Sequence, residues 1–182
     1  MVHKMNFISI AVAGMMSIFP VTTQAQPKII ESMMDWNDNP VECLALNMYH
    51  EARDQGTAGI LAVSAVVLNR VRDKRFPNTI CEVIYQGPVR ESWKRNGTYF
   101  PIKHKCQFSW YCDGKSDTPH NKKKFKKLLD ISEAILYNHM PTVDITDGAL
   151  FYHADHIKPA WAKTKQRTTE IGDHIFYTWR VK

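Results

Sequence analysis

The sequence lacks most of the marks that assign a chain quickly. It has no internal repeat and no low-complexity tract, so repeat architectures and long flexible linkers are excluded. It has no H-E-x-x-H pair, the usual helical signature of a zinc hydrolase. Its four cysteines, Cys43, Cys81, Cys106 and Cys112, do not follow the spacing of a zinc ribbon. Beyond the N-terminus, no apolar run approaches the ~20 residues that span a bilayer.

The N-terminus itself has the layout of a secretory signal. Lys4 precedes an apolar stretch, Phe7 to Phe19, broken by Ser9, Gly14 and Ser17 and closed by Pro20. Thr23-Gln24-Ala25 then offers a small-residue cleavage site. The expected organisation is a signal over residues 1–25, a leader over 26–39 and a single domain over 40–182. An uncleaved anchor is the alternative. Cleavage leaves about 157 residues, enough for one well-buried core and hardly for two. The product is expected outside the cytoplasm, secreted or periplasmic, as a monomer with no membrane contact. The net charge of +6 favours an anionic partner such as a wall polymer. Nucleic acid would rest on charge alone, without a motif, and is not expected.

In an oxidising compartment an even cysteine count suggests disulfides, and four cysteines allow three pairings. Cys106 and Cys112 flank a short loop and can close it, which leaves Cys43 to meet Cys81. Free buried thiols are the alternative.

The centre of the chain is the stretch Asn39 to Arg53. Asn39 is suited to N-cap a helix, Pro40 to its first position, and Glu42 to the capping-box position three residues on. Val41, Leu44, Ala45, Met48, Tyr49 and Ala52 recur at helical spacing. Glu51, four residues after Asn47 and three after Met48, falls at the edge of that stripe. A half-desolvated carboxylate there has a raised pKa and suits proton transfer near neutral pH. The second helix, starting at Gly56 or Thr57 and carrying Ile60 to Val71, is apolar on nearly every side and belongs in the middle of a bundle. Asn69-Arg70 and Arg72 to Arg75 read as its wet end. Asn78 or Thr79 caps a third helix over Ile80 to Gln86, ended by Gly87.

Residues Pro88 to His120 read as a long loop rich in rings, among them Trp93, Tyr99, Phe100, Phe108, Trp110 and Tyr111. Loops of that length are usually functional, and aromatic faces suit the C–H surfaces of sugars. A fourth amphipathic helix covers 120–139, with a lysine run at its start. Asp147-Gly148 marks a turn, and Ala149–His153 and His174–Trp179 have strand composition and can pair antiparallel. Between them Pro159, Trp161 and the basic residues Lys163, Lys165 and Arg167 read as a loop. The expected fold is α+β, mainly α, with a small antiparallel sheet.

Several blocks then resemble the SleB/CwlJ cell-wall hydrolases. They are Tyr49-His50-Glu51-Ala52-Arg53, Asn69-Arg70-Val71, Phe76 to Gln86, Cys106-Gln107-Phe108-Ser109-Trp110 through Asp113-Gly114, Ala149 to Ala154, Lys158-Pro159 through Trp161, and Ile171 to Tyr177. The resemblance spans about residues 40–179. It implies a lysozyme-like, lytic-transglycosylase-type domain acting on peptidoglycan, with Glu51 as the acid. The chain lacks the N-terminal wall-binding repeats of some members, so a vegetative wall or a phage lysis role is as fitting as a spore substrate.

Cleaving a β-1,4 glycosidic bond needs a proton on the leaving oxygen. A hydrolase also needs a second carboxylate, whereas a transglycosylase can let the muramic acid C6 hydroxyl attack, with one Glu as acid and then base. Only one obvious acid sits on a buried helix edge, which favours the transglycosylase. Asp113 is the second candidate, with an Asp-Gly turn as its structural alternative. Gln107, Ser109, Tyr152 and His153 are the candidate substrate contacts. No cofactor or metal is expected. A zinc amidase using His153 and His156 with Glu51 as base is the rival chemistry, and a non-catalytic glycan-binding module is the rival of another class.

Overall fold

The computed structural model describes residues 39–52, 54–137 and 144–180. The expected signal over residues 1–25, the leader except Asn39, Arg53 and positions 138–139 of the fourth helix lie outside them. Helix α1, Pro40–Ala52, begins as its cap dictates: Asn39 Oδ1 accepts from the Val41 amide at 3.0 Å. It buries Cys43, Leu44, Ala45, Met48, Tyr49 and Ala52 and packs on α2 (Gly56–Arg72), α3 (Ile80–Ile84) and α4 (Lys122–Tyr137). The most enclosed helix is therefore α1. The apolar α2 lies between α1 and a sheet, with Ile60, Val63 and Val67 in the helical core and Ala62 and Val66 against Ala149 and Phe176.

Side-chain caps also set the starts of α3 and α4, whereas α2 begins after Gln55 without one. Thr79 Oγ1 accepts from the Glu82 amide at 3.3 Å and donates to the Glu82 carboxylate at 2.8 Å, a reciprocal arrangement at the start of α3. Asn121 Oδ1 accepts from the Lys124 amide at 2.9 Å and starts α4. The lysine run of α4 is largely solvated, and Lys124 and Lys126 reach Asp54 and Asp130 at 3.0 and 3.4 Å. The opposite side of α4 buries Leu128, Ser132 and Ile135.

The region expected to be one long loop holds more structure. Strands β1 (Val89–Glu91) and β2 (Tyr99–Pro101) form a hairpin, and Ser109–Cys112 makes a single 3-10 turn. Strands of three residues are too short for alternation to register. The C-terminal sheet has three strands in the order β3 (Phe151–Ala154), β5 (His174–Trp179), β4 (Lys165–Ile171), all antiparallel. Pairing of β3 with β5 is as expected; β4 corrects the expected basic loop. An edge strand with a solvated face needs little apolar patterning, and a register shift between Arg167 and Glu170 breaks it further. Gly172 turns β4 into β5 at φ +58°, and a Cβ there would lie 2.5 Å from Gln55 Oε1.

Both expected disulfides form, Cys43–Cys81 tying α1 to α3 and Cys106–Cys112 closing the ring-bearing loop. The first closes a loop of sequence separation 38, so replacing Cys43 and Cys81 by Ala is expected to cost about 3–4 kcal/mol through unfolded-chain entropy. Urea denaturation of the double variant checks it.

Candidate active site

The C-terminal turn of α1 carries Glu51. Its helix faces the core on most sides, so the carboxyl is largely withdrawn from water. One oxygen accepts a hydrogen bond from the Tyr152 hydroxyl at 2.9 Å, across 101 positions of sequence. Burial raises the Glu51 pKa above its ordinary value, while the Tyr152 bond and the charge of Arg70 act in the opposite sense. Tyr152, half-buried with its hydroxyl withdrawn against the acid, has a pKa well above that of a free phenol and stays a proton-bearing donor. Its ring is fixed between Phe108, His174 and Phe176 at centroid distances of 6.5, 5.1 and 5.6 Å.

Tyr152 reaches Glu51 because the end of α2 grips the chain leading into β3. Asn69 Nδ2 donates to the Asp144 carboxylate at 2.8 Å and to the Ala149 carbonyl at 3.1 Å. Arg70 Nε donates to the Leu150 carbonyl at 2.8 Å. Asp144 also accepts from the amides of Thr146 and Gly148 and from the Thr146 hydroxyl. Burial pushes its pKa up, but these donors together outweigh burial and hold it below the ordinary value. The turn they enclose uses left-handed backbone at Asp147 (φ 54°) and Gly148 (φ 72°).

Arg70 corrects the expected wet end of α2. It is 4 % exposed and its guanidinium lies 5.2–5.9 Å from the ring centroids of Phe76, Phe108 and Phe151. Its Nη1 has no hydrogen-bond partner among the described residues. Burial lowers its pKa, and nearby Tyr152 and Glu51 raise it. The signal was present in the spacing: Ile60, Val63, Val67 and Arg70 continue one buried stripe. Arg70 and His174 are the site-forming residues that sequence reasoning passed over. Burial lowers the His174 pKa, against the pull of Asp173 and Asp155, which favours a neutral ring beside Tyr152.

The ring-bearing loop crosses α1. The Trp110 indole donates to Asn47 Oδ1 at 3.1 Å, one helical turn before Glu51, and stacks on His50 at 4.5 Å. His50 Nε2 donates to the Asp117 carbonyl at 3.1 Å, and the Asn121 amide donates to the Tyr49 hydroxyl at 3.0 Å. Phe108 is buried between Arg70 and Tyr152, and its sequence neighbours Gln107 and Ser109 are exposed.

Asp113 sits in the turn that follows, accepting from the Lys115 amide at 2.7 Å. Its charge acts on Asp117, whose carboxyl burial pushes up; the groups acting on Glu51 are Tyr152 and Arg70. His153 is not brought to Glu51 either. Successive strand residues face opposite ways, and His153 stacks on Tyr177 at 5.2 Å on the sheet face away from Tyr152. Its Nδ1 donates to the Ala154 carbonyl at 2.8 Å, and its Nε2 is hydrogen-bonded to the Tyr177 hydroxyl at 3.0 Å. His156 pairs with Asp155 at 3.2 Å. Among the described residues no three of His, Cys, Asp and Glu converge as metal ligands.

The cell wall hydrolase family model matches residues 54–177. The spore cortex-lytic enzyme of Bacillus cereus is 28% identical over 142 residues, covering 78% of this chain and 45% of that protein. The spore cortex-lytic enzyme of Bacillus subtilis is 25% identical over 159 residues, covering 86% and 44%. The chain thus spans under half the length of these curated relatives. Among solved structures, the catalytic domain of the germination-specific lytic transglycosylase SleB from Bacillus anthracis is similar at a TM-score of 0.53 and 31% identity, over 79% of this chain and 98% of that one. The catalytic domain of Bacillus cereus SleB is similar at 0.51 and 27%, over 80% and 95%.

Removing the Tyr152 hydroxyl deletes the bond that favours ionised Glu51. Tyr152→Phe is expected to raise the Glu51 pKa further, read by infrared or NMR titration of the labelled carboxyl. A raised folded pKa also means stability that is full below the ordinary pKa and lost as pH rises through the folded one. Glu51→Gln is therefore expected to gain stability over the parent as pH rises above the ordinary carboxyl value of 4.5, measured as the difference in melting temperature; a pH-independent difference contradicts it.

Proposed function

The chain belongs to the cell wall hydrolase family, and on that premise we propose that it cleaves the β-1,4 MurNAc–GlcNAc bond of peptidoglycan as a lytic transglycosylase. The observation that carries this reading is the environment of Glu51: a withdrawn carboxyl, one oxygen engaged by Tyr152, and, among the described residues, no other carboxylate shifting it. The likeness to the SleB catalytic domains, one of which is titled a lytic transglycosylase, supports the same choice.

The steps use one acid twice. With Tyr152 donating to one oxygen, the transferable proton of Glu51 sits on the other. Glu51 gives it to the glycosidic oxygen as the C1–O bond of MurNAc breaks. The MurNAc C6 hydroxyl then attacks C1, and the Glu51 carboxylate takes the hydroxyl proton as the 1,6-anhydro ring closes. No water is consumed, and Glu51 ends with the proton it began with. Tyr152 donates to the same oxygen in both states, so the switch from acid to base needs no rearrangement of the site. Burial favours the acid, and the Tyr152 hydrogen bond and the charge of Arg70 favour the base.

Gln107 and Ser109 are the proposed glycan contacts, being exposed on either side of Phe108, whose ring lies 6.5 Å from that of Tyr152. Asp113 contributes through the loop turn, and His153 is assigned to the far face of the sheet. Among the described residues no helix is long and apolar enough to cross a membrane, and the N-terminal signal reading points to action as a secreted or periplasmic protein.

Purified sacculi digested with the protein are expected to release muropeptides with 1,6-anhydro-MurNAc ends, identified by mass. Reducing ends would indicate hydrolysis with a second carboxylate, and free stem peptides an amidase. Glu51→Gln is expected to lower the rate by about 10²–10⁴-fold or more, and chelator is expected to leave the parent rate unchanged. A protein that binds sacculi and releases nothing would be a glycan-binding module.

A further inference from the structure

The outer face of the C-terminal sheet carries a feature that catalysis at Glu51 leaves unused. Cross-strand partners share a face, so the pairs Phe151 with Tyr177, Arg167 with Tyr177, and Lys165 with Trp179 put these side chains together. Tyr152, His174 and Phe176 point the other way, toward Glu51 and α2. A shallow groove along the edge strand β4, built on the outer face by Lys165, Arg167 and Tyr177, is also lined by Ala162, Gln166 and Arg180. Beside it stands Trp161, 36% exposed yet held by Phe151, His153 and Tyr177 at centroid distances of 5.9, 5.6 and 5.6 Å.

The cations of the groove are held in position. Lys165 lies 3.4 Å over the Trp179 ring centroid. Arg180 donates to the carbonyls of Lys163 and Lys165 at 2.9 and 3.4 Å. Arg167 pairs with Glu170, and its side chain remains 55% exposed. The groove thus presents three cations, with one acid beside them, next to an exposed indole and a phenol. Cations match carboxylates, and ring faces match the C–H faces of sugars. A polymer offering both is a glycan strand with carboxylate-bearing peptide stems.

We propose that this groove is a second, non-catalytic binding site for the peptidoglycan strand, holding uncut polymer on the sheet face opposite Tyr152. This rests on the proposed substrate. It gives the chain a hold on the insoluble wall separate from the acid, so that residence on the polymer and turnover at the bond are set by different residues.

The test uses cosedimentation with purified sacculi in the Glu51→Gln background, where cutting does not release the protein. Lys165→Gln with Arg167→Gln is expected to weaken binding at least tenfold, Trp161→Ala to weaken it several-fold, and Lys165→Arg with Arg167→Lys to retain it. Sacculi with chemically amidated carboxylates are expected to bind the unaltered groove as weakly as native sacculi bind the Gln pair. With Glu51 intact, the Gln pair is expected to cut a short soluble glycan fragment at the parent rate, within about twofold. Arg167→Gln alone, at an exposed position, serves if the pair alters the melting temperature. Undiminished binding to sacculi overturns the proposal. Equal loss on the soluble fragment also overturns it, since the groove would then be part of the catalytic cleft. Absence of anhydro ends from the parent digest is a separate result that defeats the substrate reading and not the binding measurement.

Discussion

The hydrogen bond from Tyr152 to Glu51 is the contact on which the rest of this molecule turns. It joins the first helix to a strand 101 positions later and leaves one carboxyl oxygen free to carry a proton. For it to form, α1 must be capped and packed, α2 must lie between α1 and the sheet, and β3 must leave its turn with Tyr152 facing inward. The grip of Asn69 and Arg70 on residues 144–150 meets the last condition. A strand that slipped by one residue would present Phe151 or His153 in place of the hydroxyl.

A buried cation accompanies the buried acid. Arg70 gives up water for one carbonyl and three ring faces, a poor exchange in hydration terms. What it supplies is a fixed positive potential that burial of Glu51 alone would not leave at the site. Its charge acts on the acid against the effect of burial. Phe108 belongs to both groups, touching Arg70 and Tyr152, so the ring-bearing loop is built into this electrostatic balance as well as lying over it.

The two faces of the small sheet divide the labour of the C-terminal third. The inner face supplies Tyr152, His174 and Phe176 to the site and core; the outer face stacks rings and cations toward solvent. Alternation along a strand makes this division automatic once the register is set. The two disulfides hold the elements on the other flank, one anchoring α3 to α1 and one closing the loop that brings Trp110 over Asn47.

Local chemistry in the sequence was enough to indicate the four helices, the cap at Asn39 and one at Asn78 or Thr79, the Asp147-Gly148 turn, the pairing of β3 with β5, a Cys106–Cys112 loop closure, and an acid at the edge of a buried stripe. Each follows from contacts within a few residues, from composition, or from counting. The short hairpin and β4 escaped because three-residue strands and a solvated edge carry no period to read. Only the tertiary structure decided that Tyr152 and not His153 meets Glu51, that Arg70 is interior, and that Asp113 serves a turn. Those outcomes depend on which distant segment supplies a donor, an acceptor or a ring, and on which way a pleat faces. Spacing along one segment does not encode that, because it is set by the packing of α2 against a strand eighty residues further on.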